Sequence, residues 1–129
     1  RRIRMKFRTF MTIYAIVSVL FGLGFVFIPG LVLLIYGVKT DLAFRYIGQL
    51  FGAALISLAV LAWFSRNAVA SEARKTSLPA LLAGEAIGFI VALIGQLGGA
   101  LNAFGWSVVA VYLFLGIGLA YYYFTKPDL

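Results

Sequence analysis

Cysteine and histidine are both absent from this 129-residue chain, and acidic residues number only four. Without cysteine there is no disulfide framework, no thiolate nucleophile and no thiol from which to read a redox compartment. Without histidine a Ser-His-Asp triad is excluded. Loss of both removes zinc sites, most haem ligation and the imidazole ligand of a chlorophyll magnesium. Charge is scarce as well: 12% of residues are Asp, Glu, Lys or Arg, against 64% hydrophobic. A soluble protein this small must present polar atoms over most of its surface, and this composition cannot supply them. Lipid is the solvent that suits it.

The charge that is present is mostly positive, and it is clustered. The net charge is +7, but five of the eleven basic residues (Arg1, Arg2, Arg4, Lys6 and Arg8) precede the first apolar stretch. Beside a membrane span such a cluster sets topology and contacts anionic lipid headgroups. Nucleic acid is therefore not expected as a partner.

Four spans emerge from where charges are missing. Residues 9–38 carry none; as one helix they would run about 45 Å, well beyond a hydrocarbon core of about 30 Å. Pro29-Gly30 offers the break. The first span is expected at about 9–28, followed by a short interfacial segment at 31–36. Asp41 is a good N-cap for a second span at 42–64. The hydrophilic stretch 68–76 holds Glu72, Arg74 and Lys75 and reads as a loop. Ser77 is expected to cap the next helix, with Pro79 in its first turn. Between Leu78 and Phe124 the only charge is Glu85, and a single helix there would be about 70 Å long. Gly98-Gly99, Asn102 and Gly105 mark a turn, giving spans at 78–101 and 105–124. The predicted fold is all-α, a single-domain integral membrane four-helix bundle. The first span reads as a retained anchor, because its apolar middle is long and Phe27-Ile28-Pro29-Gly30 offers no signal-peptide cleavage site.

Orientation follows from the basic residues. With both termini inside, nine of them (the first five, Arg66, Arg74, Lys75 and Lys126) face the cytoplasm and two, Lys39 and Arg45, face out. That bias predicts N-in/C-in. Phe7, Phe10, Trp63, Phe64 and Tyr121 to Tyr123 fall where an inner aromatic belt belongs; Tyr36, Tyr46 and Trp106 fall at the outer one.

Close helix packing in lipid relies on small residues and interhelical hydrogen bonds. Gly48 and Gly52 on the second span, with Gly84, Gly88, Ala92, Gly95 and Gly99 on the third, predict that these two helices form the tightest antiparallel pair. Residues 47–53 also match residues 94–100 at six of seven positions, an echo of the kind seen in transporters built from inverted repeats.

Few polar residues fall inside the bilayer. Glu85 lies about 12 Å into its helix, where a carboxyl must be protonated, paired or turned to water. Two readings stand open: a proton- or cation-binding site, or a neutral acid hydrogen-bonded to Gln49 or a carbonyl. Arg45, Gln96 and Asn102, near Gln49, form a candidate polar notch in the outer leaflet, either for a lipid phosphate or as interhelical glue worth about 0.6 kcal/mol per bond.

The stretch Phe27-Ile28-Pro29-Gly30-Leu31, then Tyr36-Gly37, Arg45-Tyr46-Ile47-Gly48 and Trp63, resembles small four-helix bacterial membrane proteins of unknown function. The resemblance implies four helices and a bacterial inner membrane, and carries no activity or site. A catalytic constellation is missing, since Glu85 stands without a second acid, base or metal ligand. No enzyme activity, cofactor or metal is expected. The leading expectation is an accessory subunit of a larger membrane assembly, with lipids and other subunits or further copies as partners. The alternative is a small oligomeric transporter or channel with Glu85 as its titrating group.

The protein should accordingly fractionate with membranes and require detergent for release, and a C-terminal tag should be shielded in intact cells. Recovery from an aqueous fraction, or labelling of the tag from outside, contradicts these expectations.

Overall fold

The computed structural model describes residues 6–125. Among them are six helices and no strand: α1 (Phe7–Phe27), α2 (Pro29–Ile35), α3 (Leu42–Ser65), α4 (Ala70–Lys75), α5 (Ser77–Leu97) and α6 (Gly105–Phe124). Four of these, α1, α3, α5 and α6, are long and apolar enough to cross a membrane. The chain is an all-α, multi-pass membrane bundle. Arg1, Arg2, Arg4 and Lys126 lie outside the described residues.

Local chemistry accounts for the boundaries. Pro29 opens α2 at its first position, where its missing N–H costs nothing. The chain leaves α2 through Gly37 at φ +80, and the Gly37 and Val38 N–H groups return to the Leu34 and Leu33 carbonyls, each at 2.9 Å. Asp41 caps α3 as expected, its carboxylate accepting from the Phe44 N–H at 2.9 Å. Three expectations need correction. The 68–76 loop holds a helical turn, α4, whose Ala73 is fully buried against the bundle. Thr76, not Ser77, precedes α5, and its hydroxyl donates to Glu72 O; Ser77 is inside the helix, its Oγ buried without a partner among the described residues. Helix α5 stops at Leu97 rather than 101, because Gly98 and the left-handed Gly99 (φ +81) unwind it.

Helix pairing also departs from expectation. The closest pair is α1 with α3, followed by α5 with α6, whereas α3 and α5 scarcely touch. The reason is where the glycines face. A Cβ on Gly52 would sit 2.7 Å from the Gly22 carbonyl oxygen and 2.9 Å from Phe25 Cβ, so the two backbones cross in near contact. Gly48 likewise faces Phe25 and Pro29. Gly88 of α5 receives the Tyr112 ring of α6, leaving no room for a Cβ, while Gly84 and Gly99 pack against nothing within 4 Å. The echo between 47–53 and 94–100 is not structural: the first segment lies within α3, and the second runs off the end of α5.

Two hairpins result, α1–α3 and α5–α6. They join at the end that carries Phe7, Ser65, Ser77 and Phe124, called the base. Its core contains Phe7, Phe10, Met11, Tyr14, Leu78, Leu81 and Leu119, all essentially inaccessible. Phe7 and Phe10 bracket Tyr122, with ring centroids 5.4 and 5.6 Å away. These three are core residues rather than members of an aromatic belt. Trp63, Phe64, Tyr46 and Trp106 remain exposed, as belt residues should be.

Gly52→Leu should overpack the α1–α3 crossing at a cost of about 1–3 kcal/mol, lowering the thermal midpoint in mild detergent. Gly84→Leu, with open space at its Cβ, should leave it near wild type. Equal effects at the two positions would contradict the packing described.

Candidate functional site: a membrane-embedded cavity

Above the base the hairpins separate around a cavity of about 280 Å³. All four long helices wall it, and Leu33, Tyr36 and Leu101 close its far end. The lining is apolar except for Tyr14, Ser18, Tyr36, Glu85 and Tyr112. Glu85 is the carboxyl among these residues, and it is 6% exposed.

The position of Glu85 follows from helix periodicity. Leu78 and Leu81 lie on the α5 face turned into the base core, and Glu85, four residues beyond Leu81, continues that face into the cavity floor. Opposite it, Gly116 of α6 gives room, since a Cβ there would be 3.6 Å from Glu85 Cβ. The Tyr14 hydroxyl of α1 is within hydrogen-bonding reach of the carboxyl, and Tyr112 of α6 flanks it. No basic side chain faces it among the described residues. A carboxyl so placed in hydrocarbon is met by phenols instead of a counter-ion, an arrangement suited to the protonated acid, which both donates and accepts. Once ionised, it is a ready partner for a cation.

The remaining sequence-derived residues fall elsewhere. Gln49 does not reach Glu85; its Nε2 donates to Val26 O of α1 at 3.0 Å, because the face of α3 that holds it packs on α1. The expected notch divides. Gln96 Nε2 donates to Asn102 O at 3.0 Å, so those two meet. Arg45 instead lies along Gly30 of α2, where its Cδ would be 3.4 Å from an added Cβ. Lys6 and Arg8, the described members of the basic cluster, are exposed at the base, where headgroups would lie.

Asn102 proves to be a clasp. Its Nδ2 donates to Ile35 O at 2.9 Å and its backbone N–H to Tyr36 O at 2.9 Å, tying the α5–α6 turn to the end of α2. Its Oδ1 accepts from Phe104 N at 3.0 Å. The cavity thus lies between the Tyr14–Glu85 contact at its floor and the Asn102 hydrogen bonds to Ile35 and Tyr36 at its roof. Sequence reasoning missed Tyr14 and Tyr112 as partners of Glu85. Tyr14 carried a usable signal, since it lies about 10 Å into its helix, too deep for a belt, and a buried phenol requires a partner.

No family model, no curated protein and no solved structure matches the chain.

Asn102→Leu should leave the Ile35 carbonyl unpaired at a cost of about 1–3 kcal/mol. The expected readout is a lowered thermal midpoint with faster amide exchange at Gly37 and Val38. Unchanged exchange there would show that the clasp does not hold the roof.

Proposed function

We propose that this protein is a small membrane transporter whose solute occupies the cavity and whose titrating group is Glu85. The observation that carries this reading is the cavity itself, a solute-sized space in the bundle centre with one buried carboxyl on its floor. Ligand sites characteristically pair an apolar lining with a few convergent polar groups. A plain structural subunit has no need of such a space, and a buried acid in hydrocarbon is expensive to keep without a use. Sparse contact between the hairpins gives them freedom to rock against each other about the base, as alternating access requires.

The setting fits a bacterial inner membrane with both termini in the cytoplasm, on the nine-to-two bias of basic residues. Anionic headgroups would then meet Lys6 and Arg8, and association of several copies would complete the assembly. No catalytic step is proposed. The accessory-subunit reading rests on the scarcity of polar groups, which a carrier of apolar solutes shares.

Proteoliposomes holding a pH-sensitive dye provide the test, with a panel of organic cations, anions and neutral solutes added outside. Wild type should couple proton movement to one class of solute, and Glu85→Gln, which keeps a hydrogen-bonding side chain for Tyr14, should reduce that flux at least tenfold. Absence of coupled flux, together with fixed stoichiometric partners in native mass spectrometry, would overturn the transporter reading in favour of an accessory subunit.

A further inference from the structure

The wall of the cavity is not uniform. Its lining residues on α1 and α6 are buried or half-buried, whereas four others, Phe51 and Ala54 of α3 with Ala80 and Gly84 of α5, are exposed. Exposed residues in the lining of a cavity mark where it opens. All four lie along the α3–α5 seam, where the two helices scarcely touch, and three of the four are Ala or Gly. A Cβ added to Gly84 would meet nothing within 4 Å. Gly84 lies about 10 Å along α5 and Ala54 about 18 Å along α3, depths that place the opening against hydrocarbon. The gap is lateral, and Glu85 is the next residue behind it.

Resting on the transporter reading of this cavity, we infer that the site takes a lipophilic amine, which enters as the neutral free base from the membrane through the gap between Ala54, Ala80 and Gly84. Three observations converge on that class. A lateral entrance selects solutes already dissolved in lipid. The volume of about 280 Å³ holds a body of about a dozen non-hydrogen atoms, scaled from a cavity of about 150 Å³ that accepts benzene. The floor presents a carboxyl between two phenol rings, Tyr14 and Tyr112, with no basic side chain facing it among the described residues. An anionic amphiphile would find repulsion there or no partner, and a neutral hydrocarbon would leave the carboxyl unused. An amine uses every group. The Glu85 O–H bond breaks as a new N–H bond forms, the proton passing from carboxyl to amine lone pair, and an ammonium–carboxylate pair results without net charge entering the membrane. The adjacent phenol rings then offer their faces to the new cation.

Full-length protein in lipid nanodiscs tests this with two probes of matched size, 1-naphthylmethylamine and 1-naphthylmethanol, followed by naphthalene fluorescence against empty nanodiscs. Wild type should bind the amine at least tenfold more tightly than the alcohol. Glu85→Gln should abolish that preference while still binding the alcohol, and Gly84→Phe should slow association of both probes at least tenfold. Equal affinity of wild type for the two probes overturns the amine and leaves the cavity reading standing. Undiminished association in Gly84→Phe overturns the lateral entrance. Failure of both probes to bind wild type beyond the empty-nanodisc signal overturns the cavity as a solute site, and the inference with it. Should Glu85→Gln not fold, the comparison of the two probes on wild type still decides the class.

Discussion

Each hairpin of this bundle holds to itself far more closely than to the other, and most of what is distinctive in the structure depends on that imbalance. The α1–α3 pair closes through Gly22 and Gly52 until backbone nearly meets backbone, and α5–α6 closes by seating Tyr112 over Gly88. Glycines spent on these two contacts are unavailable for a third between α3 and α5. The hairpins therefore meet firmly at the aromatic base and diverge above it. In water such a gap would collapse or fill. In lipid there is no hydrophobic drive to close it, so packing and hydrogen bonds alone decide which seams are tight.

Against that background Glu85 has a double role. Its contact with Tyr14 joins the two halves, and it places an ionisable group at the foot of an otherwise greasy space. The roof tie made by Asn102 is different in kind: backbone carbonyls accept from an amide side chain and an N–H, with no titratable member. The floor can respond to a proton or a cation, and the roof cannot. The asymmetry gives the cavity one chemically active end.

Much of the architecture was legible in the sequence. Spans, breaks and the Asp41 cap follow from charge spacing, Pro29 and helix-end chemistry, each a local matter. Which helix touches which was not legible, because a glycine stripe shows that a face is narrow without naming the partner that fills it. Gly48 and Gly52 pointed to α5, whereas the short connection through α2 brings α1 against them. The same ambiguity misdirected Gln49, whose face belongs to the α1 contact. Phe7, Phe10 and Tyr122 read as belt residues by position along the chain. Burial at the base depends on α6 returning to cover α1, which is a long-range fact. Glu85 itself stood out without any structure, since a charge in a long apolar run has few explanations.

Gly105 shows how narrowly two distant positions can be matched. The Gln96 side chain folds over the start of α6, with its Oε1 pressed into the space that a Cβ on residue 105 would need, while its Nε2 holds the Asn102 carbonyl. Neither residue can change freely while the other stays. A shorter side chain at 96 would make room at 105 but release the turn, and any larger residue at 105 would expel the amide. Among natural or engineered relatives the two sites ought to vary in concert, a lock and its key recut together, whatever solute the bundle carries.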